Sequence, residues 1–138
     1  MNPDRPIGIT LLSAFFAFGA CMAGLACLTL LLPDTRLSGL WALNPDAHAR
    51  LEAIGSWSIA LMAVVSLACA SAAFGLWRGD DWGRAIALGV LGVNLVGDAT
   101  NALLRHDLRT LIGIPIGAAL IAYLLSKGAR SYFHGDGD

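Results

Sequence analysis

The chain has 138 residues, 57% of them hydrophobic and only 14% charged, with a net charge of −1 and a mean hydropathy of +0.67. Soluble domains are about 45–50% apolar and about 25% charged, so the composition points to lipid as the solvent. A near-neutral chain offers no basic field for nucleic acid, and it contains no phosphate-binding glycine loop, zinc-ligand spacing or serine-hydrolase elbow.

The first apolar segment is Ile7–Leu32, whose only polar residues are Thr10, Ser13 and Thr29. It is too long for a signal-peptide core, which runs about 7–15 residues, and Asp4 and Arg5 before it leave no net side-chain charge. "FGAC", ending at Cys21, resembles a lipoprotein cleavage box, but apolar sequence continues to Leu32. The segment is therefore expected to stay as a span. Pro33–Ala53 is the one sizeable connection. Within it "NPDA" reads as a helix start, with Asn44 as cap, Pro45 at the first helical position and Asp46 in the first turn. A helix over 45–77 is expected, projecting beyond the bilayer before entering it near Ile54.

The second apolar segment, Ile54–Trp77, is uncharged and carries Ser56, Ser58, Ser66 and Ser71. Arg78–Arg84, "RGDDWGR", reads as a tight turn between antiparallel helices. The third segment, Ala85–Leu104, contains Asp98, and a short turn at Arg105–Asp107 offers Asp107 as a cap for the fourth, Leu108–Leu125. Pro115 cannot donate to the Leu111 carbonyl, which predicts a kink.

A helical span takes about 20 residues, within a range of about 17–25. A spanning sheet must close into a barrel, and the period-two alternation of such strands is absent. The predicted fold is all-α: a single domain over 1–138, an integral membrane four-helix bundle running up-down-up-down. Its helices cover 7–32, 45–77, 84–104 and 108–126, with a loop at 33–53 and the second helix extended beyond the bilayer.

Trp41, Trp57, Trp77 and Trp82 lie near the predicted boundaries, where indole rings prefer the interface. The side holding both termini carries Arg5, Arg78, Arg84, Lys127 and Arg130; the other side carries Arg36, Arg50, Arg105 and Arg109. The positive-inside rule then places both termini in the cytoplasm, in what is expected to be a bacterial inner membrane. Small residues four apart suggest close helix contacts: Gly19/Ala23, Ala20/Gly24, Ala68/Ala72 and Gly113/Gly117.

Asn94, Asp98, Asn101 and Arg105 fall on one side of the third helix, within an arc of about 60°. A carboxylate at the centre of a span costs about 2.5–3.5 kcal/mol on insertion scales. The row must therefore turn away from lipid. Two readings stay open. The row is interhelical glue, bonding hydroxyls such as Ser13 or Ser66 and free carbonyls, or it lines a polar cavity for a proton, an ion or a small polar solute.

No catalytic set and no metal site is visible. Cys21 and Cys27 point about 120° apart on one helix and cannot bridge each other, and Cys69 stands alone. No histidine lies mid-membrane, which argues against paired haem ligands; no cofactor is predicted, and His48 is left as a single interfacial ligand.

Three stretches carry a resemblance: "RPIGITLL" at Arg5–Leu12, "GLWRGDDWGRAIAL" at Gly75–Leu88 and "YLLSKGARSYF" at Tyr123–Phe133. They are similar to a broad group of small bacterial four-helix membrane proteins of unknown function. The group implies the four-span layout and no catalytic residue. The long first connection, with its "NPDAHARLE" helix start, departs from that group's shorter one and reads as a docking surface formed by Trp41, Asn44, His48 and Arg50. The expected function is a non-enzymatic accessory or partner-binding subunit, whose partners are the lipid bilayer and other membrane subunits or further copies of the chain, not nucleic acid. The alternative is a small oligomeric carrier or channel built on Asn94, Asp98 and Asn101.

Overall fold

The computed structural model describes residues 5–105 and 110–134. Every element among them is helical: α1 (Ile7–Leu31), a 3-10 helix (Arg36–Leu43), α2 (Pro45–Ile54), α3 (Trp57–Arg78), α4 (Asp81–Arg105), α5 (Thr110–Leu125) and α6 (Lys127–His134). α1, α3 and α4 are each long and apolar enough to cross a membrane, and a fourth crossing exists if α5 and α6 count as one bent span.

The local chemistry explains most boundaries. α1 starts directly after Pro6 and ends before Pro33, each of which fixes φ and removes a donor. Asn44 caps α2 as expected: its side chain accepts from the Ala47 amide at 3.2 Å, with Pro45 in the first helical position. The expected continuous helix over 45–77 is in fact two. Gly55 takes φ 68, a conformation open to glycine, and separates α2 from α3. The expected turn over Arg78–Arg84 is also shorter than the charges suggested. Gly79 closes α3 in the left-handed region at φ 79, and α4 already begins at Asp81, a carboxylate in the first turn where the helix dipole favours it.

Two further elements had no forecast. The connection 33–53 contains the 3-10 helix as well as α2. The chain after Leu125 bends by 56° at Ser126 into α6, whose start is capped by the Ser126 hydroxyl accepting from the Ala129 amide at 3.3 Å. α5 itself runs unbroken through Pro115, so the large change of direction comes at Ser126. The predicted cap Asp107 lies outside the described residues.

Helices pack in chain order: α1 on α3, α3 on α4 and α4 on α5. Between α1 and α3, Ser13 Oγ donates to the Ala73 carbonyl at 2.7 Å, Ser66 Oγ to Ala20 at 2.9 Å and Cys27 Sγ to Ile59 at 3.6 Å. Partner numbers fall as residue numbers rise, which is antiparallel register. The small residues foreseen as contacts serve this seam: a side chain at Gly24 would meet Ser66 Oγ at 3.2 Å, and one at Gly19 would meet Cys69 Sγ at 3.7 Å. Gly75 and Gly83 bring α3 and α4 so close that a Cβ on either would strike the other's backbone.

The core is concentrated at the end of the molecule holding the α3–α4 turn. Ile9, Leu12 and Phe16 of α1, Ala72 and Leu76 of α3, Ala87 and Leu91 of α4, Leu124 of α5 and Phe133 of α6 form it. Beyond Leu91 no described residue of α4 is buried, and among the described residues of α5 only Leu124 is. Large apolar side chains such as Phe18, Val64, Leu67, Val93 and Ile112 point outward, as lipid-facing positions do.

Candidate functional site

The row on α4 is the first site to place. Ala87, Leu91, Asn94, Asp98 and Asn101 occupy one side of this helix, within an arc of about 80°. Its first part, Ala87 and Leu91, is core. The same side then emerges from cover: Asn94 is exposed, while Asp98 and Asn101 are half-buried. The side chain of Arg105, the predicted end of the row, lies outside the described residues.

Asp98 faces α5. Its Oδ2 occupies the space where a side chain on residue 113 would begin, since a Cβ built on Gly113 would lie 2.5 Å from it. Farther along the same seam a Cβ on Gly117 would meet Leu95 Cδ1 at 3.6 Å. The Gly113/Gly117 pair is thus a contact between α5 and α4, and it makes room for a carboxylate. Among the described residues, neither Asp98 nor the two asparagines uses its side chain in a hydrogen bond. The bonds expected from Ser13 and Ser66 are absent because both hydroxyls join α1 to α3. Nearby, Thr100 satisfies itself by donating to the Val96 carbonyl at 2.8 Å.

The second predicted surface is brought together only in part. Trp41 and His48 stack, with ring centroids 4.7 Å apart and planes at 27°. Asn44 is committed to capping α2, and Arg50 is exposed. His48 Nε2 lies 3.5 Å from Glu52 Oε1, one turn along α2. Trp41 and Asn44 also line an apolar recess of about 240 Å³ against Met22, Leu25 and Thr29 of α1. Trp41 Nε1 is buried, with no hydrogen-bond partner among the described residues. Among the described residues no group of three or more His, Cys, Asp or Glu side chains could hold a metal ion.

At the opposite end lies a polar cluster that a reading of "RGDDWGR" as a tight turn missed. Arg84 is 8% exposed. Its Nε donates to the Leu124 carbonyl at 3.1 Å, its Nη1 to Asp81 Oδ1 at 2.8 Å, and its guanidinium lies 5.9 Å from the centre of the Phe133 ring. An arginine can be buried when its charge is paired and its donors are used. The spacing of Asp81 and Arg84, one helical turn apart at the start of an apolar run, was the available signal. Arg5 fastens the beginning of the chain to the same end. It donates to the Trp77 carbonyl at 2.6 Å and to the Tyr132 hydroxyl at 3.2 Å, and its charge lies 4.2 Å from the centre of the Trp77 ring.

Compared with known protein families, with curated proteins and with solved structures, the chain finds no match in any of the three.

Proposed function

We propose that the chain is a non-enzymatic accessory subunit of a membrane complex, with four spans running up-down-up-down and both termini in the cytoplasm. On this reading α1, α3 and α4 cross the bilayer singly, α5 with α6 supplies the fourth crossing, and α2 and the 3-10 helix lie outside. The observation that carries the proposal is Asn94. It sits near the middle of α4 and is exposed, between the core that ends at Leu91 and the contact of Asp98 with α5 at Gly113. An amide facing hydrocarbon without partners is costly, and polar side chains in spans turn toward other helices or water. A helix from another subunit or a second copy, laid along Asn94, Asp98 and Asn101, would remove that cost. The small-residue pairs of α1 and α5 do not serve as this outer surface, because Gly19, Gly24, Gly113 and Gly117 each meet a neighbouring helix of the same chain.

Cysteine crosslinking in native membranes tests this, with Asn94→Cys as the probe and Val64→Cys, on the outer side of α3, as control. A crosslinked species at position 94 and none at 64 is the expected result. Equal labelling by a lipid-soluble reagent at both positions, with no crosslink at either, would refute the subunit reading.

A second reading is supported by the half-buried carboxylate of Asp98, which takes no hydrogen bond among the described residues: the row borders a polar path in an oligomer. Proteoliposome flux of protons or small cations, lost in Asp98→Asn at unchanged protein stability, would favour the path over the docking face.

A further inference from the structure

The amides of α4 follow a narrower line than the row as a whole. Asn94 and Asn101 are seven residues apart, two turns of helix, so they point within about 20° of each other. Gly97 lies between them and Leu104 follows. Asn94, Gly97 and Leu104 are exposed, and Asn101 is half-buried. A Cβ on Gly97 would meet nothing within 4 Å, so no described part of the chain fills that space. Asp98 and Leu95 leave this line for α5, where they lie against Gly113 and Gly117. Steps of three, four and three residues from Asn94 to Leu104 are the spacing of the seam in a parallel helix pair. On the opposite side of the same helix, Val96 and Leu103 are exposed and suit lipid.

Resting on the subunit reading above, we infer that the occupant of this line is a second copy of the chain, paired in parallel about a two-fold axis along the membrane normal. An amide is donor and acceptor at once. Two copies of Asn94 across such an axis therefore bond each other reciprocally, NH2 to C=O in both directions, and Asn101 repeats the exchange two turns on. The chain supplies both halves of what its amides lack. A different subunit has to present matching polar groups at the same two depths. A carboxylate on the axis would oppose the pairing, because like charges would face each other; Asp98 is instead set aside against Gly113. Gly97 leaves room between the amides for the two backbones to approach, which shortens the reach asked of each asparagine. The same axis gives both copies one orientation in the bilayer, as insertion by loop charge demands.

The test is a cysteine scan of α4 in the full chain, with Cys21, Cys27 and Cys69 replaced by alanine. Oxidation is carried out in native membranes and again after the chain alone is reconstituted into lipid vesicles. In both settings Asn94→Cys, Gly97→Cys, Asn101→Cys and Leu104→Cys should give dimers of twice the chain mass, and Val96→Cys and Leu103→Cys should not. Energy transfer between copies labelled at the N-terminus, with the native cysteines kept, measures the pairing independently as lipid dilutes them. Asn94→Leu should weaken it about tenfold, as loss of a reciprocal amide pair in lipid does, and Asn94→Gln, which keeps the amide, should recover most of it. A crosslink at position 94 in native membranes only, to a product that is not twice the chain mass, would keep the subunit reading and overturn the second copy. No crosslink at position 94 in either setting would overturn both. Dimers formed equally through positions 96 and 103 would overturn the seam, and native-strength pairing in Asn94→Leu would overturn the amide exchange.

Discussion

The two halves of α4 behave as if they belonged to different proteins. From Asp81 to Leu91 the helix is gripped: Gly83 touches the backbone of Gly75, Arg84 reaches across to α5, and Ala87 and Leu91 are core. From Gly92 onward the same side of the helix carries Asn94, Asp98 and Asn101, and none of its described residues is buried. The lesson is that helix length and apolar content specify where a segment sits, while contact specifies what it does. In the gripped half polar groups are few and used. In the open half Thr100 bonds only to its own helix, and Asn94, Asp98 and Asn101 make no side-chain hydrogen bond among the described residues.

Exchanging features between the halves should break this contrast in a graded way. Gly83→Leu drives a side chain into the Gly75 backbone, where nothing can yield, and should cost about 3 kcal/mol or more in detergent unfolding. Gly97→Leu, on the same helix but with open space around it, should stay within about 0.5 kcal/mol. If the two variants unfold alike, the halves are not mechanically distinct. Next in size is Arg84→Gln, which breaks the pair with Asp81 while leaving an uncharged donor near the Leu124 carbonyl. Asp81 is largely exposed, so the loss should be about 2 kcal/mol rather than that of a fully buried pair. A smaller loss sharpens the contrast most. Gly113→Ala should cost about 1 kcal/mol because its methyl displaces the Asp98 carboxylate, and the cost should vanish in an Asp98→Ala background. A double-mutant cycle with no coupling would mean that Asp98 does not rest on Gly113.

The helical content, and three or four segments long and apolar enough to cross a membrane, were readable in the chain because hydrocarbon imposes a length and backbone satisfaction imposes a helix. The bounds of α1 and the Asn44–Pro45 start of α2 follow from local chemistry of that kind. Gly55 was harder. Within "EAIGSWS" it sits between two helix-competent stretches, and a single glycine is tolerated in a helix at about 1 kcal/mol, so its positive φ was not legible from neighbours alone. The bend at Ser126 was hidden for a similar reason, since apolar content runs into an amphipathic tail with no proline to mark the change. At the site, periodicity placed Asn94, Asp98 and Asn101 on one side of a helix. It could not show that Ser13 and Ser66 were already engaged elsewhere, because which helix a hydroxyl meets depends on packing order. Arg84 was misread by position: near a turn, a charge is ordinarily solvated, and only the proximity of Leu124 and Phe133 reveals otherwise.

The glycine contact at the α3–α4 turn also orders events in time. Gly75 and Gly83 are eight residues apart in the chain, so their helices can lock together as soon as both have been synthesised. The Arg84–Leu124 and Arg5–Tyr132 bonds span 40 and 127 residues, and neither can form until the last helices arrive. A hairpin of α3 and α4 would thus be the template on which the rest assembles. During that interval Arg84 waits with only Asp81 for company, and a nascent chain stopped before α5 would expose a charged side chain that quality control can detect.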